Sequence, residues 1–199
     1  DGQGMALPEG FLEALLETIA VKTKRDASWG GDHFPDEFDT YREFREWFGP
    51  YRHRYIEVVK LASTAYPVTA IMVAGRLVEK ALLRIQSAEV DSNEYMNLDA
   101  AASILQATLT PLKKEQLAQP AAVPALNGLL QQILAANTNL GPNSLAQYLR
   151  FIEAYSNFFS VLEDSSALLS SITKILSIFS QLPIGTNLNG PGGSAQIAG

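Results

Sequence analysis

Apolar side chains recur every three or four positions along almost the whole chain, and that period restricts it to α-helices packed on one another. Phe11, Leu12, Leu15, Leu16 and Ile19 set the pattern, with Pro8 just ahead as a helix opener. Phe38, Tyr41, Phe44, Phe48, Tyr51, Tyr55, Val58, Val59 and Ala62 continue it as an aromatic and aliphatic stripe expected to be core. Asp36 is expected to cap that helix, with Glu37 and Asp39 in its first turn complementing the dipole. Gly49-Pro50 must either kink it or divide it in two. Pro67 opens a further helix through Ile71, Ala74, Val78, Leu82 and Ile85, and Asp91 or Ser92 caps the next, through Leu98, Ala102 and Leu105. Helices over about 123–136, 143–160 and 165–181 follow, separated by a Pro-, Ala- and Gln-rich loop from Pro111 and by the Gly141-Pro142 turn.

Paired in order, these helices form antiparallel hairpins: 36–65 with 67–85, 91–110 with 123–136, and 143–160 with 165–181. They recur at about 40 to 50 residues, near the period of HEAT and armadillo repeats. The fold class expected is all-α, antiparallel helix pairs stacked as HEAT-like repeats, an α-solenoid segment. A compact helical bundle accounts for the same helices. The organisation expected is a flexible N-terminus over 1–7, the repeat segment over 8–182, and a Gly- and Asn-rich disordered tail or truncated loop over 183–199.

Composition removes several functions. The chain of 199 residues has no cysteine and two histidines, which excludes disulfides, thiol catalysis and Cys-based zinc or iron–sulfur sites. A net charge of −6 excludes a generally basic nucleic-acid binder. Lys174 interrupts the longest apolar stretch, so no membrane insertion is expected, and Asp1–Met5 has no signal-peptide pattern. Charge is also uneven. Eight of the 15 Lys and Arg residues lie between Lys22 and Lys60, whereas beyond Gln116 only Arg150 and Lys174 are basic. Helices so poor in charge are either covered by neighbouring chain or solvated by Ser, Gln and Asn.

No catalytic, cofactor-binding or metal-ligating set emerges. His33 stands among Asp26, Asp32 and Asp36, but the spacing fits neither an EF-hand nor a zinc helix. His53 has no serine, aspartate or second histidine at a fixed offset. Gly-rich sequence occurs only in the tail, without the strand and helix that a phosphate loop needs. No enzyme and no cofactor are expected. Glu43, Glu46 and Glu57 alternate with Arg42, Arg45 and Lys60 at salt-bridge spacing. The one candidate polyanion-contact strip is Arg42, Arg45, Arg52, Arg54 and Lys60, with a solvated, salt-bridged face as the alternative.

Across residues 8–181 the order of features resembles the middle HEAT repeats of karyopherin-β (importin-β) nuclear transport receptors. An apolar helix (FLEALLETIAVKTKR) precedes an acidic loop (DHFPDEFDTYREF) and a long helix ending in IEVVKLASTAYPVTA. The run RYIEVVKLASTAYPVTAIMVAGRLVEK is most similar to the exportin-five branch of that family, with the tRNA exportin next around EYMNLDAAASILQATL and AYSNFF. The resemblance implies a segment of a nuclear export receptor. It would carry small structured RNA or protein through the pore with Ran-GTP, meet nucleoporins, and shuttle between nucleus and cytoplasm. A stand-alone helical-bundle scaffold or protein-interaction module, and a tRNA exportin or protein importin of the same family, are the alternatives.

Overall fold

The computed structural model describes residues 10–24, 34–87, 95–162 and 165–181, and everything regular in them is helical. The elements are α1 (Phe11–Thr23), α2 (Tyr41–Ala65), α3 (Pro67–Ser87), α4 (Tyr95–Leu109), α5 (Lys114–Leu117), α6 (Ala122–Ala135), α7 (Pro142–Ala154), α8 (Ser156–Phe159) and α9 (Ser166–Gln181). The expected flexible ends, most of the acidic loop around His33 and the Asp91 or Ser92 cap lie outside the described residues.

Local chemistry sets the helix ends. The long helix begins at Tyr41 rather than at Asp36. Thr40 caps it, its hydroxyl accepting the Glu43 N–H at 3.1 Å, while the Glu43 carboxylate accepts the Asp39 N–H at 3.2 Å. This Thr-x-x-Glu exchange satisfies two backbone donors at once, and Asp36 sits instead in a turn closed by the Phe38 N–H on the Pro35 carbonyl at 3.1 Å. α2 then runs unbroken through Pro50 for 25 residues. The proline has no N–H for the Glu46 carbonyl, so the ladder lacks one bond there. A single residue, Tyr66, separates α2 from α3. The helix expected over 143–160 is broken at Tyr155 into α7 and α8.

The helices stack in two layers. α2, α4 and α7 lie side by side in one; α1, α3, α6 and α9 follow one another in the other. This is the arrangement of HEAT-like repeats, in which each unit packs on its neighbours to close a continuous core. Two of the expected pairings differ. α4 packs chiefly on α3 and α7 rather than on α6, and α9 rests on α6 rather than mainly on α7. The reason is the apolar character of α4 on every side: 11 of its 15 residues are buried. Such a helix is satisfied only by neighbours all round, and the connection through α5 is long enough to let α6 settle on α3.

Polar side chains tie one unit to the next at helix ends, where carbonyls lack helical donors. Gln116 of α5 donates to the Thr64 carbonyl at the end of α2 (2.9 Å), 52 residues away. Asn157 of α8 repeats this on the Thr110 carbonyl (3.3 Å), 47 residues away. Lys174 of α9 reaches the Ala136 carbonyl after α6 at 2.9 Å. Buried tyrosines reinforce the α6–α7 contact. Tyr148 donates to the Ile133 carbonyl at 2.6 Å and Tyr155 to the Leu126 carbonyl at 3.2 Å. Burial pushes both phenols well above the usual tyrosine range.

Candidate functional site

The basic strip is built on α2, and its five members meet different fates. Arg42 pairs with Glu46 at 2.8 Å, one turn on and largely in solvent. Arg45 lies over the Tyr41 ring, 6.0 Å from its centroid. Arg54 is exposed. Lys60 pairs with Glu57 at 2.7 Å, and that hydrogen bond holds the Glu57 carboxyl below its ordinary value. His53 lies 3.9 Å from the same glutamate on an open surface. Exposed pairs of this sort contribute little to stability.

Arg52 is turned inward. Its guanidinium meets the Asp99 carboxylate at 2.7 Å and the Ser103 hydroxyl at 2.7 Å, both on α4. Arg150 of α7 approaches the same aspartate from the other side at 2.8 Å and the same serine at 3.1 Å. Three successive helices of one layer are thereby joined through one carboxylate, whose side chain is 14% exposed. The sequence hinted at this only by a lone aspartate within an apolar helix and by an isolated arginine in a charge-poor half. A charge in such a setting has to be paired.

The aromatic stripe expected to be core is only partly so. Phe44 and Phe48 are buried, Tyr41, Tyr51 and Tyr55 are half-buried, and Trp47, absent from the expected stripe, is 48% exposed. Trp47 stacks on Tyr51 with centroids 4.6 Å apart, and Phe38 closes on Trp47 at 5.3 Å. Tyr51 in turn meets Tyr55 edge-on at 4.8 Å, and hydrogen bonding to Tyr55 raises its pKa. With Lys22 of α1 and Lys24 just after its end, the rings of Phe38, Phe44, Trp47, Phe48 and Tyr51 line an open groove of about 610 Å³. Ring flanks at i, i+4 spacing carry the signal: Trp47 precedes Tyr51 by one turn.

His33 lies outside the described residues, so no geometry bears on it. Among the described residues, no group of three or more His, Asp, Glu or Cys side chains gathers as metal ligands do. None of the described helices is long and apolar enough to cross a membrane.

Helix pairs stacked in two layers and joined by polar ties between units define, among the described residues, an α-solenoid of HEAT-like repeats. The Exportin-5 family model matches residues 9–189, and the chain belongs to that family, within the karyopherin-β receptors. It is thus a protein of the nuclear export receptor type, a class of carriers and not of enzymes. No curated protein and no solved structure matches the chain significantly.

Proposed function

We propose that this chain is a structural segment of a receptor that binds small structured RNA or protein cargo together with Ran-GTP. The receptor carries that cargo past nucleoporins and shuttles between nucleus and cytoplasm. The family match over residues 9–189 carries the reading. Within it, phosphates of an RNA cargo would meet Arg42, Arg45, Arg54 and Lys60, the outward members of the strip. Arg52 holds the repeats together and contributes only its field. Such contacts are indifferent to base sequence and weaken steeply with salt, because each neutralised phosphate releases counterions.

The test is retention of a structured small RNA by the receptor containing this segment, with Ran loaded with GTP or GDP. Retention with the GTP form alone is expected; equal retention with both overturns the reading. In the same assay, changing Arg42, Arg45 and Arg54 to Glu should lower RNA affinity and flatten its salt slope. An unaltered slope would make the strip a solvated face, leaving cargo to other repeats. Transfer RNA as the preferred cargo, or cargo released rather than held by Ran-GTP, would point instead to a tRNA exportin or to an importin.

A further inference from the structure

The aromatic groove between the end of α1 and the start of α2 combines an exposed ring with charges of both signs. Phe44 and Phe48 are buried beneath it, whereas Trp47 and Val21, which also line it, are 48% and 72% exposed. An apolar patch bordered by charge is the usual form of an interaction surface. Two neighbouring rings hold the indole, Tyr51 at 4.6 Å and Phe38 at 5.3 Å. It therefore has little side-chain freedom left to lose when something settles on it.

The charges come from different elements. Lys22 and Lys24 belong to the end of α1, and Glu37 to the turn before α2. Elsewhere Arg42, Lys60 and Arg76 are each paired with a glutamate. Among the described residues, Lys22, Lys24 and Glu37 have no ion-pair partner, and they do not pair with one another. From this arrangement we infer that the groove docks a peptide segment of a partner protein. An aromatic side chain of that segment packs on Trp47, a carboxylate lies beside Lys22 and Lys24, and a cation lies beside Glu37. The inference stands independently of the receptor reading.

Charge selects the peptide over its rivals. A nucleic-acid strand satisfies the lysines but brings further phosphates against Glu37, with Asp36 and Asp39 exposed in the same segment and a chain of net charge −6 behind them. An uncharged apolar segment meets the rings and leaves three charges partly desolvated without partners. A peptide can carry opposite charges on either side of one ring, so it meets both borders at once. At about 610 Å³ the groove also has room for an aromatic anchor and its neighbours.

Fluorescence anisotropy of labelled peptides titrated with the full chain tests this. The probes are EEAFAFAKK and its reverse, KKAFAFAEE, because a segment can lie in either direction. The references are the uncharged QQAFAFAQQ, the ring-free EEASASAKK, the all-acidic EEAFAFAEE and a short oligouridylate. One bipolar probe should bind about tenfold more tightly than the ring-free peptide and about threefold more tightly than the uncharged one. Trp47→Ala should weaken it about tenfold. Glu37→Lys should weaken the bipolar probe and strengthen EEAFAFAEE, a reversal that misfolding cannot produce, and Lys22→Glu should weaken both. Lys22 and Glu37 are exposed, so these two variants fold. Equal binding of the uncharged peptide, tighter binding of oligouridylate, or no binding of either bipolar probe overturns the inference.

Discussion

α4 and α9 are of similar length and both rich in leucine, isoleucine and alanine or serine, yet they end in opposite situations. α4 is enclosed by α2, α3 and α7, with Leu98, Ile104 and Leu105 fully buried. α9 rests on α6, while Leu169, Ile172, Leu176 and Phe179 remain between 45% and 63% exposed. The difference is one of position in the stack. Among the described residues α4 has neighbours on several sides, whereas α9 has α6 on one face. Apolar content alone therefore says how much of a helix can be buried, and the neighbours decide how much is.

Three substitutions would break or sharpen that contrast. Leu105→Ala should have the largest effect, a loss of about 3 kcal/mol by chemical denaturation, because α7 and α3 cannot both close on the cavity left behind. A loss under 1 kcal/mol would mean that α4 is not enclosed as described. Asp99→Asn should come next, at about 2 kcal/mol, since it leaves two guanidiniums facing one another with a neutral amide between them. Added salt should recover part of that loss by screening the repulsion, and a salt-independent loss would argue against charge as its cause. Leu176→Ser should have the smallest effect, within about 0.5 kcal/mol, while reducing self-association in sedimentation. A loss comparable to that of Leu105→Ala would show that α9 is packed on both sides.

The same contrast explains which parts were legible in the sequence. Helix existence followed from a local period, and it is recovered throughout the described residues, α6 and α9 almost to the residue. Thr40 and Glu43 are equally local, but Asp36 presents the same capping chemistry a few residues earlier, and only the hydrogen bonds decide between them. Which helix packs on which was not local. α4 has no polar face to show which side meets a neighbour, so sequence order suggested α6 and the structure supplies α3 and α7. The candidate strip suffered in the same way. Arg42 and Arg52 look alike within α2, and only Asp99 and Ser103, the latter 51 residues on, separate a solvated cation from a structural one. Trp47 stands beside Phe48 of the stripe, and a local period does not separate a ring left in solvent from a buried one.

Tyr66 gives α2 and α3 a mechanical relation. Two rods of 25 and 21 residues meet at one residue, with no slack to absorb rotation. At about 1.5 Å per residue, α2 is a lever arm of about 37 Å with its fulcrum at Tyr66. Trp47 and the open groove lie near the far end of that arm. A turn of about 5° at the fulcrum sweeps the tip through about 3 Å, roughly the thickness of an aromatic ring. Small torsions in one residue's backbone are thereby magnified where the rings stand, and the groove's width becomes a readout of how tightly the superhelix is wound.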